Sequence, residues 1–231
     1  KVFYVAQFSK PIARHILVAD KKVVDADSVS GKTTAAQFFF NIDGSRDVTV
    51  KVSVSSVSVA NAKENFAEAA DVDFETAKTE AKKIWEKQLE HIVVETPTDS
   101  LKTIFYSALY HTQIAPVTFS DVNGQFRQEN DSIIDADFTA YSTLSLWDTF
   151  RAENPLLSLL EPEKTSDIIN SMLTYYEVHK SLPVWTLYGN ETNAMTGNHA
   201  IPVIADAYFK GVKGFDVEKA FEVMKNTQIR D

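Results

Sequence analysis

Two stretches of the chain concentrate the residue types that hold polar ligands. The first runs Tyr141-Ser-Thr-Leu-Ser-Leu-Trp147-Asp148-Thr-Phe-Arg151. On a helix, Asp148 and Arg151 stand three apart on one face, with Tyr141 and Leu144 further along it. Two chemistries fit that spacing. A solvated ion pair would be worth only ~0.3 kcal/mol, whereas a carboxylate recessed among Trp147 and the other rings could hold a substrate hydroxyl through a charge-assisted bond. The second stretch is Leu182-Pro-Val-Trp185-Thr-Leu-Tyr-Gly189-Asn-Glu191-Thr192, continuing to Gly197-Asn198-His199. It sets glycines, aromatics, an acid and a histidine between two helices, a place where rigid scaffolds carry functional loops. Trp185 can stack on a sugar ring, and it is equally suited to closing a core beneath the loop. Gly189 and Gly197 are expected to supply positive φ or close backbone approach. On chemistry alone, Asp148 and Glu191 are the pair to nominate as acid and base.

The other candidate groups narrow the choice. His15, His91 and His179 have no acidic or histidine partner at ligand spacing and read as surface or boundary residues. His111 and His199 read as core histidines with satisfied ring nitrogens. Cysteine is absent, which excludes disulfides, thiolate metal sites and cysteine nucleophiles. Phosphate-loop, dinucleotide, zinc-protease and serine-hydrolase motifs are missing. Lysine and arginine total 23 against 32 acids, a net charge of −9. That balance opposes a nucleic-acid surface. No apolar run reaches the roughly eighteen residues of a membrane span.

The elements that must position these residues change character along the chain. Up to about residue 60 the sequence is rich in valine, phenylalanine and threonine. Val48, Val50, Val52, Val54 and then Val57, Val59 alternate with polar residues, predicting a half-buried strand with a bulge at Ser55-Ser56. Ala35 to Ile42 is a second strand, followed by turn chemistry at Asn41-Ile42-Asp43-Gly44. Beyond Ala60 the period becomes helical. Helices are predicted over 61–70, 75–91 and from the cap at Asp99-Ser100 toward Pro116. Others follow over 141–152, 155–160, 165–180, 199–210 and 217–226, the last capped by Asp216. Strand character in this part is confined to Asn123 to Phe126. A sheet region followed by helices is an α+β multidomain plan. The chain opens on Lys1 in a strand-like run, which reads as a piece of a longer protein.

Three segments together carry a resemblance: Trp147-Asp-Thr-Phe-Arg151, Leu182 through Thr192, and Ala200-Ile-Pro-Val-Ile-Ala-Asp-Ala-Tyr208, with Leu109-Tyr-His-Thr-Gln-Ile-Ala-Pro116 ahead of them. They resemble glycoside hydrolase family 92, the calcium-dependent exo-acting α-mannosidases, and the resemblance runs over nearly the whole chain. It implies the end of an N-terminal β-sandwich over residues 1–60, a helical linker over 61–98, and the first part of an (α/α)6 toroid over 99–231. It also implies inversion, in which a glutamic acid protonates the leaving oxygen and an aspartate activates water. Such carboxyls lie about 6.5–9.5 Å apart.

The family's acid sits in a Thr-Glu-Gly motif and its base in Gly-Asn-Asp-Asp, neither of which occurs in these residues. No catalytic residue is therefore assigned to this segment, and the segment alone is expected to be inactive. Glu191 remains only as an alternative acid. By the resemblance, Asp148 matches an aspartate that contacts the outer hydroxyls of the terminal mannose, and Trp185 matches an aromatic of the same pocket. Trp147 and Arg151 join them, Arg151 orienting Asp148, while Glu191 supports the loop or a ligand. Calcium is the implied cofactor, with ligands mostly outside this segment. A mannose-containing glycan is the implied partner and an extracytoplasmic location the implied setting. The rival readings are a non-catalytic carbohydrate-binding or scaffold module, and another (α/α)6 glycosidase or phosphorylase.

Overall fold

The computed structural model of the protein describes residues 1–42, 44 and 46–229. Five strands come first: β1 (Phe3–Phe8), β2 (Ile12–Ala19), β3 (Lys22–Val24), β4 (Thr34–Phe40) and β5 (Val50–Ser55). β1 and β5 pair antiparallel, from Phe3 opposite Ser55 to Phe8 opposite Val50. β2 runs between β3 and β4, antiparallel to both. The two sheets meet where the Phe8 ring lies 5.3 Å from Phe38 and 5.1 Å from Phe40. The turn expected at Asn41 to Gly44 includes Asp43, which lies outside the described residues.

The period of two in the valine run holds only to Ser55, and the serine pair is an ending rather than a bulge. Ser55 Oγ accepts from the backbone N–H of Val57 and Ser58. Ser58 then caps α1 (Val59–Ala67), its hydroxyl accepting from Asn61 N–H at 3.0 Å. Val59 is thus the first residue of a helix. The face of β5 that α1 covers is the one with Lys51, Ser53 and Ser55, because Lys51 Nζ donates to the carbonyls of Ala69 and Ala70 beyond the helix end. Val50, Val52 and Val54 remain exposed, contrary to the expectation that the valines line the covered face.

Two helices follow, α2 (Phe74–Leu89) and α3 (Asp99–His111). Trp85 and Tyr110 join them, ring centroids 4.5 Å apart. The N-cap of α3 is Thr98, one residue before the predicted pair. His111 ends α3 on the exposed side, so its expected place in the core is corrected.

The largest difference lies between residues 117 and 152. Five short strands occupy it: β6 (Val117–Thr118), β7 (Gln125–Arg127), β8 (Ile133–Asp135), β9 (Tyr141–Ser142) and β10 (Leu144–Ser145). β6 pairs with β9 and β7 with β8. The helix predicted over 141–152 is therefore reduced to α4 (Leu146–Thr149). Tyr, Ser and Thr are mediocre helix formers, and Thr143 sits at φ +64, which no helix accommodates.

After α4 come α5 (Glu153–Leu160) and α6 (Pro162–His179), then a hairpin of β11 (Trp185–Leu187) and β12 (Asn190–Glu191), then α7 (Ala200–Phe209) and α8 (Val217–Ile229). Pro162 opens α6, where its missing N–H costs nothing. Asp216 Oδ1 accepts from Lys219 N–H at 3.0 Å and starts α8 as expected. Leu146, Leu157, Ile168, Ile169, Met172 and Ile204 are fully buried where α4 through α7 converge. Each such side chain stabilises by about 1.5–3 kcal/mol. Site residues at the ends of these elements therefore rest on a packed base.

Polar contacts fasten the first part of the chain to the second. Buried Asp121 accepts from Ser55 Oγ at 2.6 Å and from Asn65 Nδ2 at 2.7 Å. Arg127 donates to the carbonyls of Ser56 and Val57 at 2.7 and 2.8 Å. Each is charge-assisted and partly shielded, the stronger kind of hydrogen bond.

Candidate functional site

Asp148 and Trp185, 37 residues apart in sequence, are brought together by Ser145. Ser145 pairs with Trp185 across β10 and β11. Its hydroxyl donates to Asp148 Oδ2 at 2.6 Å. The second carboxylate oxygen, Oδ1, has no partner among the described residues and Asp148 is exposed, so it is open to accept from a ligand. Trp147 beside it is 42% exposed. Trp185 is half-buried. The result is an open polar and aromatic wall, not a closed pocket.

Ser145, not Arg151, orients Asp148. Arg151 makes no ion pair with Asp148 among the described residues, and its guanidinium lies over the Phe150 ring at 4.9 Å. The i, i+3 face on which both readings of the pair depended requires a continuous helix, and α4 ends at Thr149. α4 is itself pinned: Thr149 Oγ1 donates to the carbonyl of Ser145 at 3.1 Å and accepts from Asn154 Nδ2 at 2.6 Å. Just upstream, Thr143 is β-branched and left-handed, a costly conformation that surrounding structure must impose.

Glu191 is an anchor for the hairpin that carries Trp185. Its Oε2 accepts from Val184 N–H at 2.9 Å, and its Oε1 accepts from Trp185 N–H and Thr192 N–H at 3.1 Å each and from Asn193 N–H at 3.4 Å. Both oxygens are engaged. A proton-transfer group needs an oxygen within reach of the substrate, so this geometry supports the loop-supporting role over the alternative of an acid. The tip of the hairpin turns through Tyr188 at φ +51 and Gly189 at φ +79. A Cβ on Gly189 would stand 2.7 Å from the Phe119 ring, so only glycine fits both the turn and the close approach.

Sequence reasoning missed three participants. Ser145 had a legible signal, since Ser-x-x-Asp is the spacing at which a hydroxyl and a carboxylate meet across a first helical turn. His179 faces Glu129, Nε2 to Oε2 3.4 Å, and stacks on Tyr175 at 3.8 Å. The acid lies fifty residues earlier, out of reach of any local spacing rule. Glu153, at the start of α5, carried no signal. Its carboxyl, ordinarily near 4.5, is pushed up to about 7, chiefly by burial; Lys164 opposes the shift and Asp148 adds to it.

That shift gives a testable pH dependence. Between about 4.5 and 7 the folded chain binds more protons at Glu153 than the unfolded one, so stability falls as pH rises through this window. Glu153→Gln is expected to raise Tm at pH 8 by about 2–4 °C, on the order of 1 kcal/mol once solvent screening of the half-exposed group is allowed for. At pH 4 no change is expected. Equal shifts at both pH values in thermal melts would exclude this account.

His199 departs from the expected satisfied histidine. Its Nδ1 is buried without a hydrogen-bond partner. The ring packs on Phe150, centroids 4.5 Å apart, which brings the start of α7 to the segment that carries Asp148.

Among the described residues, no three or more His, Asp or Glu side chains gather where they could hold a metal ion. No helix of the described residues is long and apolar enough to cross a membrane.

The α+β plan, strands first and helices after, is shared with solved structures. A sequence model of the glycosyl hydrolase family 92 catalytic domain matches residues 61–231, and the chain belongs to that family. Among solved structures, the family GH92 α-mannosidase BT3965 from Bacteroides thetaiotaomicron is 37% identical with a TM-score of 0.88, over 100% of this chain and 33% of that one. The GH92 inverting mannosidase BT2199 from Bacteroides thetaiotaomicron VPI-5482 is 27% identical with a TM-score of 0.88, over 97% of this chain and 31% of that one. The GH92 family glycosyl hydrolase ccman5, 23% identical with a TM-score of 0.82 over 98% of this chain and 31% of that one, shares the fold. The chain thus spans about a third of the length of these structures. No curated protein sequence matches it. The strands at the start correspond to part of the N-terminal β-sandwich of these relatives, and the helices to the start of their helical domain.

Proposed function

We propose that the intact protein is an exo-acting, inverting α-mannosidase that removes terminal mannose from glycans, and that this segment supplies one wall of its mannose pocket. The observation that carries the reading is the joint at Ser145, which sets an open carboxylate oxygen of Asp148 beside the strand bearing Trp185. An acceptor next to an aromatic platform suits a sugar, whose hydroxyls donate while its C–H face stacks. One relative, BT3965, has been solved with mannoimidazole bound, and BT2199 is described as an inverting mannosidase.

In this reading Asp148 Oδ1 takes hydroxyl hydrogens of the terminal mannose, Trp185 and Trp147 flank the ring, and Arg151 lines the same wall. Glu191 holds the hairpin in place. The proton-transfer pair lies outside these 231 residues, as do most ligands of the calcium ion, and the segment alone does not turn over. Residues 1–60, 61–98 and 99–231 serve as sandwich, linker and toroid, and the enzyme works outside the cytoplasm.

The test is product stereochemistry. The full-length enzyme, incubated with an α-mannoside and followed by proton NMR from the first minutes, is expected to release β-mannose that then mutarotates, with no requirement for phosphate. Release of α-mannose would overturn inversion. Cleavage only when phosphate is added would assign a phosphorylase, and binding without release would assign a carbohydrate-binding module.

A further inference from the structure

The hairpin that carries Trp185 has a free edge. In its three-stranded sheet β12 lies outermost, bonded to β11 alone. Thr192 N–H points inward, donating to the Trp185 carbonyl at 3.0 Å. Successive N–H groups along a strand face opposite sides, so Glu191 N–H faces outward, where an edge strand leaves such groups unpaired. Here that N–H meets a side chain: it donates to Glu129 Oε2 at 3.5 Å.

Glu129 has had no part in the wall so far, yet the segment around it is fixed from several sides. Arg127 ties the segment to the carbonyls of Ser56 and Val57. Gln128 Nε2 donates to the carbonyl of Thr174 in α6 at 2.9 Å, and Gln128 N–H closes a turn on the Ser132 carbonyl at 2.9 Å. His179, the last residue of α6, places Nε2 3.4 Å from the same Glu129 Oε2. Tyr175 sets the plane of that imidazole by stacking on it, the rings 6° from parallel. Burial raises the titration of the Tyr175 hydroxyl above its ordinary value, and Glu191 and Glu129 add to the shift.

The hairpin touches this segment a second time. Gly189, at its tip, passes so close to the Arg127 carbonyl that a Cβ would stand 3.3 Å from it. Residues 189 and 191 of the hairpin thus meet residues 127 and 129 of the segment, which makes a seat of two points. Movement at Glu191 carries to the aromatic platform, because its carboxylate holds the N–H groups of Val184 and Trp185.

We propose that Glu129 is a positioning residue of the wall, joining the end of α6 to the free edge of the hairpin and so setting where Trp185 stands. The consequence for sugar binding rests on the mannosidase reading, whereas the seat itself does not. Both contacts to Oε2 are long, and long hydrogen bonds are weak, so the expected effects are modest.

The experiment has two readouts on the full-length enzyme. The first is hydrogen exchange over residues 185–192, followed by mass spectrometry without ligand. Glu129→Ala is expected to speed exchange there about fivefold, and Glu129→Gln, which keeps an acceptor oxygen, to recover most of the protection. Unchanged exchange in Glu129→Ala would overturn the inference, whatever the enzyme acts on. The second is a double-mutant cycle on an α-mannoside. Glu129→Ala alone should raise KM about fivefold with kcat within about twofold of wild type. In a Trp185→Ala background it should add less than about twofold, because its effect passes through that ring. Unaltered KM in the single variant, or effects that multiply in the double, would overturn the route through Trp185. Should Glu129→Ala fail to fold, His179→Phe takes its place in both readouts, keeping the stack on Tyr175 and removing the N–H; about a twofold effect is then expected, and none would overturn the inference. A wild-type enzyme that leaves α-mannosides intact brings down the mannosidase reading, while hydrogen exchange still decides the seat.

Discussion

Asp148→Ala in the full-length enzyme is expected to lower kcat/KM on an α-mannoside by about 100- to 10,000-fold. The estimate rests on two charge-assisted hydrogen bonds to sugar hydroxyls, each worth roughly 1.5–3 kcal/mol, at 1.4 kcal/mol per tenfold. The fold should be untouched, because Asp148 is exposed and its one hydrogen-bond partner among the described residues is the Ser145 hydroxyl. Trp185→Ala sets the contrast. It is expected to raise KM about tenfold through lost stacking with a smaller effect on kcat. Steady-state kinetics with a thermal melt of each variant separates the two residues. Wild-type kinetics in Asp148→Ala would make that residue an ordinary surface carboxylate.

Glu191 gives the second large effect, and here the expectation divides two roles. As an anchor, Glu191 satisfies the N–H groups of Val184, Trp185, Thr192 and Asn193. Glu191→Ala would leave several part-buried donors unpaired, each costing about 1–3 kcal/mol where water cannot replace the acceptor. A loss of about 3 kcal/mol is expected in urea unfolding, with KM raised because the Trp185 strand loses its brace. Glu191→Gln keeps one acceptor oxygen and should fall between the two. An acid or base would behave in the opposite way: Glu191→Gln would abolish kcat while leaving stability and KM intact. Kinetics and unfolding of the same two variants therefore decide the matter.

Much of this architecture is legible in residue order because it depends on local chemistry. The apolar stripes of α3 and α6 are written at spacings of three and four, the cap of α8 is Asp216 as expected, and the helices stand within a few residues of where these signals place them. The segment from Tyr141 to Arg151 was not legible as strand. Its aromatic and apolar residues match helical and extended periods alike, and pairing with β6 and β11 settles the choice: Thr118 stands 23 residues before its partner Tyr141, and Thr186 stands 42 after its partner Leu144. Long-range pairing overrides local preference in this way wherever strands are only two or three residues long. The valine strand shows a different limit. Alternation fixes which residues share a face, but it says nothing about which face a neighbour covers.

The candidate site divides along the same line. Asp148, Trp185 and Glu191 were recognisable by type and motif, whereas their relations were not. The Asp148–Arg151 pairing depended on a helix that does not exist at that point, and the partner of Asp148 proved to be Ser145. The expectation for His199 failed because a satisfied histidine is the commoner outcome, and its enclosure comes from Phe150 and Gly197 converging from separate segments. Glu153 could not be singled out, since its altered titration is a property of burial beside Asp148 and Lys164.

The double duty of Ser145 bears on how such a wall can change over time. Its backbone pairs with that of Trp185 and its hydroxyl binds Asp148, so a change at position 145 meets both neighbours at once. Varying residue 145 alone would therefore disturb the carboxylate at 148 while leaving the strand pairing to 185 in place, since that pairing needs no side chain.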